Sequence, residues 1–271
     1  MRPRVGVLPI GALLAVGALL TSFPFFWMLS TSLKPRSESY AYPPTLLPSR
    51  VTLDSYLQLF GDFEFGRFLV NTIIVVIIGF AGMFFMAMAG YAFAKYRFRG
   101  KEALFLLVLS TMIVPIQVTM IPTYLILNSV RLTNTLVGIA LPTLVSAYTI
   151  FLFRQFMTTI PDELVEAARL DGGGELRILI SIVLPMSRPI LAVGGVLTFI
   201  SGWNSFIWPL IIANDQQNYT LSVGISLLNK QLTVNPPLQM AGASLMVVPI
   251  VIVFVILQRY IVQGFALSGL K

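Results

Sequence analysis

The chain has 271 residues, 56% of them hydrophobic and only 11% charged, with a formal net charge of +7 and neither cysteine nor histidine. Soluble domains carry about 25% charged residues, so this composition is that of a membrane protein. The missing thiols and imidazoles exclude disulfides, thiolate nucleophiles, Cys/His metal sites and histidine acid–base chemistry, and no basic tail or aromatic-basic patch points to nucleic acid.

A hydrocarbon core about 30 Å thick needs about 20 apolar residues at 1.5 Å rise each. Six charge-free runs satisfy this and predict helical spans over about 7–31, 68–94, 103–127, 133–153, 189–212 and 240–258, the whole of 1–271 forming one transmembrane domain. Arg2 and Arg4 precede the first run as in a signal peptide, but the run exceeds an h-region of roughly 7–15 residues and shows no clear cleavage site. It is expected to be an uncleaved helix. Two loops are long, Leu33 to Arg67 and Ala213 to Gln239, and either receive a soluble partner or simply connect and cap helices. Pro24, Pro115, Pro122, Pro142, Pro209 and Pro249 fall in the spans, where each removes a backbone donor that lipid cannot replace, so bends are expected.

Orientation follows from Lys and Arg. With the N-terminus in the cytoplasm, Arg2, Arg4, Lys95, Arg97, Arg99, Lys101, Arg154, Arg169, Arg177, Arg188, Arg259 and Lys271 lie inside, against Lys34, Arg36, Arg50, Arg67, Arg131 and Lys230 outside. Twelve against six predicts both termini inside, together with segment 158–187 and a tail over 259–271.

No span carries a charge near its middle, which argues against an ion-coupled carrier. The glycine run at Gly172 to Glu175 lacks the GxxxxGK[ST] pattern that holds nucleotide phosphates. Segment 158–187 is nevertheless unusual for a connector. Pro161 suits a first helical turn, Asp162 and Glu163 suit the positive end of a helix dipole, and Leu164, Ala167 and Ala168 fall on one face. Gly172 is placed to end that helix in the left-handed conformation, and Gly173 and Gly174 to turn the chain. A second piece follows with Leu176, Leu179, Ile180 and Val183, up to a stop at Pro185. On helix chemistry alone this is either a plain surface helix or a handle for a partner, with small alanines for close approach and Glu166 for charge pairing.

The spacing resembles the EAA loop of ATP-binding-cassette (ABC) importer permeases: Glu166, Ala167, Ala168, Gly172, Ile182, Leu184 and Pro185 fill its seven positions. Similarity to the maltose-type carbohydrate-uptake permeases extends over FLVNTI, GYAFAKYRFRGK, IPDELVEAARLDG, GWNSFIWPL and QRYIVQGFALSGLK. Arg99 stands where that family often has proline, and no glycine follows Lys271. The resemblance implies an all-α membrane protein with six transmembrane helices and a cytoplasmic coupling helix, the type I importer permease fold, in a bacterial inner membrane. It implies ATPase coupling through Glu166, Ala167, Ala168, Asp171 and Gly172, and tail contacts to the ATPase from Gln263, Gly264, Ser268, Gly269 and Lys271. The implied partners are a homologous permease chain, two cytoplasmic ATPase subunits that carry ATP and Mg, an extracytoplasmic solute-binding protein, membrane lipid and a sugar or sugar/glycerol-derived solute. This chain itself would hold no cofactor and catalyse nothing. A permease for a non-carbohydrate solute, and a six-span channel or membrane-embedded enzyme, are the rival readings.

Candidate solute-path residues are Asn71, Gln117, Tyr124, Tyr148, Trp203 and Asn204, because amides and aromatic faces together bind sugars. Each alternatively bonds a neighbouring helix or anchors at the interface, the role expected of Trp208.

Overall fold

The computed structural model describes residues 7–231 and 235–268, and among these the regular structure is entirely helical. In chain order the helices are α1 (Val7–Ser32), α2 (Asp54–Asp62), α3 (Phe65–Lys95), α4 (Lys101–Ser110), α5 (Ile116–Ser129), α6 (Leu136–Ala140) and α7 (Ala147–Met157). They continue with α8 (Asp162–Leu170), α9 (Glu175–Ile178), α10 (Leu184–Met186), α11 (Arg188–Trp203), α12 (Ile207–Ile212), α13 (Leu221–Gln231) and α14 (Pro236–Ser268). Among the described residues four stretches are long and apolar enough to cross a membrane: Pro9–Ser32, Phe65–Lys95, Arg188–Ile212 and Pro236–Tyr260. Two bent pairs, Lys101–Ile113 with Ile116–Ser129 and Leu136–Thr143 with Ala147–Met157, make six if each pair is one span.

The chain forms two compact units, Met1–Gly66 with Gly224–Val248 and Arg67–Val223 with Pro249–Lys271. In the first, α1 leaves Leu13, Leu14, Leu19 and Leu20 exposed, as a helix does when its neighbour is lipid. The loop after it is tied to itself. The Glu38 carboxylate accepts from Thr45 Oγ1 and Ser49 Oγ, each at 2.7 Å, and from the Ser49 backbone N–H at 3.0 Å. Those hydroxyl bonds, Thr45 first, hold the Glu38 carboxyl below its usual range. Lys34 donates to the Thr45 carbonyl and sits 4.7 Å from the Trp27 ring centre. The Tyr56 hydroxyl on α2 lies between Ser32 Oγ, at 2.9 Å, and Ser244 Oγ, at 2.6 Å, joining α1, α2 and α14.

In the second unit, breaks appear where the backbone demands them. Val114 is forced extended (φ −78°, ψ 117°) by the following Pro115, and the chain bends by 102° between the helices that flank them. The apolar run over 133–153 is also two pieces, bent by 43°, with Ser146 Oγ accepting the Thr149 N–H to start α7. A third break, at Asn204 to Phe206, separates α11 from α12.

Packing at the centre of this unit depends on missing side chains. Phe153 of α7 is fully buried between glycines on two other helices. A Cβ on Gly90 of α3 would stand 2.6 Å from the Phe153 Cβ, and one on Gly194 of α11 would stand 2.6 Å from its ring. Small residues of this kind are what let apolar helices approach in a membrane. One residue on, Arg154 lies 3.7 Å over the Phe105 ring and donates to both Glu102 oxygens, at 2.9 and 3.0 Å, fastening α7 to the start of α4. Gly90→Val is therefore expected to destabilise the fold by about 1–3 kcal/mol through overpacking. Thermal unfolding of the purified variant checks this, and a melting point equal to the parent's would refute the packing account.

Candidate functional site

The segment singled out by spacing folds as a short amphipathic helix with capped ends. Pro161 stands just ahead of α8 (φ −57°, ψ 133°) rather than inside its first turn, and Asp162 and Glu163 open the helix. At the other end Gly172 adopts φ +80°. The Gly172 N–H bonds to the Arg169 carbonyl at 3.0 Å and the Gly173 N–H to the Ala168 carbonyl at 2.9 Å, the paired bonds of a Schellman termination. A Cβ on Gly173 would fall 2.7 Å from the Ala168 carbonyl oxygen, so this glycine is required as well, for close approach rather than for φ.

Leu164, Ala167 and Ala168, expected on one face, divide between the outer and inner sides of α8. Val165 is buried and Ala168 and Arg169 half-buried, at the i, i+3, i+4 spacing of one helical stripe, while Ala167 is exposed and Leu164 is 43% exposed. The reason is the partner cluster: Val165 packs with Met157, Ile160, Ile178, Leu179 and Val183, and Ala168, Ile182 and Leu184 pad its edge. Outward stand Leu164, Glu166, Ala167 and Leu170, the last 89% exposed. Asp171 is the exposed C-cap.

Two ionic clamps fix α8 to α3, and neither was foreseen from the spacing. Lys95, its side chain only 4% exposed, donates to Asp162 Oδ1 at 2.6 Å and to the Ile160 carbonyl. That pairing holds the Asp162 carboxyl below its usual range. At the C-terminal end, Glu175 accepts from Arg169 Nε at 2.6 Å, Arg169 Nη2 at 3.3 Å, the Tyr96 hydroxyl at 2.6 Å and the Tyr91 hydroxyl at 3.1 Å. Arg169 above all, then the tyrosines, pulls the Glu175 carboxyl down to about 2 against the opposing effect of burial. Burial, and then Glu175 itself, pushes the Tyr96 phenol up to about 12. A usable signal for this cluster was Arg169 and Glu175 facing each other across the glycine turn.

Beyond the turn, α9 passes into a π-helical turn over Leu179–Val183 before α10. Pro185 does not stop the helix as expected. A proline lacks the N–H for the carbonyl four residues back and its ring collides with that carbonyl, and the wider turn just ahead accommodates both effects.

The candidate path residues differ in burial and bonding. Both Asn71 amide hydrogens are engaged, by the Gln217 and Tyr219 carbonyls at 2.8 and 2.9 Å. Trp203 is buried and stacked on Phe199 with centroids 5.2 Å apart, and Tyr124 lies half-buried beside the Val75, Ile139 and Trp208 cluster. Trp208 is no surface anchor: it is buried in that cluster and its indole N–H donates to the Gly138 carbonyl at 3.2 Å. Gln117, Tyr148 and Asn204 are exposed, and each stands at one of the three helix breaks. In the tail, Gln263, Gly264 and Ser268 belong to α14, with side chains outside the description, while Gly269 and Lys271 lie outside the described residues.

Residues 84–266 match the family of binding-protein-dependent transport system inner membrane components. The chain is 33% identical over 261 residues to the arabinooligosaccharides transport system permease protein AraQ of Halalkalibacterium halodurans, covering 94% of this chain and 92% of that protein. It is 31% identical over 262 residues to the sn-glycerol-3-phosphate transport system permease protein UgpE of Brucella abortus, covering 93% of each. A chain in the crystal structure of a bacterial ABC transporter involved in the import of the acidic polysaccharide alginate superimposes with a TM-score of 0.84 at 25% identity, over 95% of this chain and 96% of that one. The chain therefore belongs to the family of binding-protein-dependent transport system inner membrane components, with the all-α importer-permease fold.

Proposed function

We propose that the chain pairs with a homologous permease to form the transmembrane pathway of an ATP-driven importer for a sugar or a sugar- or glycerol-derived solute. Two cytoplasmic ATPase subunits hold ATP and Mg and supply the energy, a binding protein delivers the solute from outside, and this chain performs no chemistry of its own. Both termini and α8 face the cytoplasm, in line with the Lys and Arg asymmetry. The observation that carries this reading is the two-sided character of α8. Its inner face is clamped to α3 at both ends, and its outer face presents Leu164, Glu166, Ala167 and Leu170 for docking into an ATPase cleft. Ala168, Asp171 and Gly172 shape that handle, and the tail from Gln263 makes a second ATPase contact.

The solute class is supported by relatives named for arabinooligosaccharides and sn-glycerol-3-phosphate and by the alginate importer. For the path, Gln117, Tyr148 and Asn204 are the favoured residues, because broken helices free backbone carbonyls beside exposed polar side chains. Asn71, Tyr124 and Trp203 would shape the path from behind. The test is ATP-dependent uptake in proteoliposomes holding the complete complex and its binding protein, screened against arabino-oligosaccharides, uronic-acid oligosaccharides and glycerol 3-phosphate. Uptake of one of these is expected, with Asn204→Ala raising the concentration for half-maximal uptake several-fold at unchanged basal ATPase. Transport without ATP, or no associated ATPase, would overturn the reading.

A further inference from the structure

The second unit holds a recess of about 360 Å³ lined by residues other than those named for coupling or for the candidate path. Its walls are Phe80 and Met83 of α3, Leu191, Ala192 and Gly195 of α11, and Leu257 of α14. Arg188 and Tyr260 stand at one end. From Arg188 to Gly195 is seven residues of helix, about 10 Å of depth. Gly195 keeps the inner end open, since a Cβ there would only reach ordinary contact with Phe80 Cε1 at 3.7 Å and Leu257 Cδ1 at 3.9 Å.

The polar end is strongly cationic. Arg259 Nη2 donates to the Tyr260 hydroxyl at 2.9 Å and its guanidinium lies 4.7 Å from that ring, which brings a second arginine to the mouth. Neither Arg188 nor Arg259 forms an ion pair among the described residues, and the residues lining the recess include no carboxylate. Two arginines and a phenol at the helix ends, above an apolar slot in a membrane helix surface, complement one ligand chemistry: a phosphodiester joined to an acyl chain. A soluble anion has no use for the slot, and a zwitterionic lipid brings its own cation to the arginines. We infer that this recess binds an anionic phospholipid, its phosphate at Arg188 and Arg259 and the upper part of one chain along α3, α11 and α14.

The test is lipid retention by the complete transporter complex, exchanged into mild detergent, incubated with phosphatidylglycerol or phosphatidylcholine and weighed by native mass spectrometry. Phosphatidylglycerol is expected to be retained at least tenfold more strongly. Arg188→Gln with Arg259→Gln should weaken its retention about fivefold per arginine, as juxtamembrane cations do at an anionic surface, and leave phosphatidylcholine unchanged. Gly195→Leu should weaken both lipids by filling the slot, with Gly195→Ala as the variant that keeps the fold. Phosphatidylglycerol with a photoreactive acyl chain should label α3, α11 or α14 at the slot. Equal retention of the two lipids, insensitivity to the arginine pair, or labelling confined to other helices would overturn the proposal. So would cross-linking of the slot to the second permease chain, which would make it a protein interface.

Discussion

With alanine in place of Glu175, the protein is expected to insert and assemble while solute-stimulated ATP turnover and uptake fall about tenfold and basal ATPase persists. Glu175 is the single acceptor that gathers Arg169 from α8 and Tyr91 and Tyr96 from α3 and its C-terminal end. Hydrogen bonds to a charged group contribute about 1.5–3 kcal/mol each when buried. Here the Arg169 and Glu175 side chains are 36% and 41% exposed, so water screens the pair and the lower figure is the better guide. A loss near 1.4 kcal/mol is a factor of ten in any equilibrium that keeps α8 moving with α3. Glu175→Gln retains one acceptor oxygen and should fall between parent and alanine. Parental uptake in Glu175→Ala would show that α8 is held by packing alone.

The same carboxylate sets a pH range. Its folded-state value of about 2 lies below the ordinary 4.5, so the clamp's contribution is complete above about pH 4.5 and is lost as pH falls toward 2. Thermal unfolding at pH 7, 5 and 3 should therefore show parent and Glu175→Ala converging only at the acid end. A difference that already vanishes at pH 5 would mean the carboxylate is not held down by Arg169.

What was readable along the chain and what was not divide by sequence distance. The short helix and its termination were legible because their residues act on near neighbours: Asp162 and Glu163 at a helix start, and Gly172 at a left-handed end. The bend at Pro115 was legible for the same reason, since proline restricts the residue before it. The clamps join residues 67 positions apart at Lys95–Asp162, 79 at Tyr96–Glu175 and 84 at Tyr91–Glu175, where no local periodicity reports them. Trp208 misled because an aromatic near the end of a span has the same local signature whether it meets headgroups or the Gly138 carbonyl. Asn71 and Trp203 bond and stack within their own unit while Gln117, Tyr148 and Asn204 are exposed, a difference in burial that residue type and position along the chain do not carry.

The three consecutive glycines should respond unequally to substitution, and this is the sharpest expectation for the handle. Gly174 lies at φ −70° and ψ 152°, with nothing within 4 Å of a built Cβ, so Gly174→Ala should transport like the parent. Gly172 has open space but φ +80°, so Gly172→Ala pays only backbone strain of about 1–2 kcal/mol, and partial activity is expected. Gly173→Ala meets the Ala168 carbonyl oxygen at 2.7 Å, a backbone atom fixed by the helix end, and must open the Schellman pair. Gly172→Pro combines the faults: proline cannot reach positive φ, and it deletes the N–H that bonds to Arg169. A cost of about 3 kcal/mol or more corresponds to a hundredfold loss of coupled uptake. Because Gly172 is exposed and outside the spans, insertion should survive, and basal ATPase with the partner subunits present reports on assembly separately. Equal activity across all four variants would mean that the helix end does not transmit force, and the handle would have to lie elsewhere on the outer face of α8.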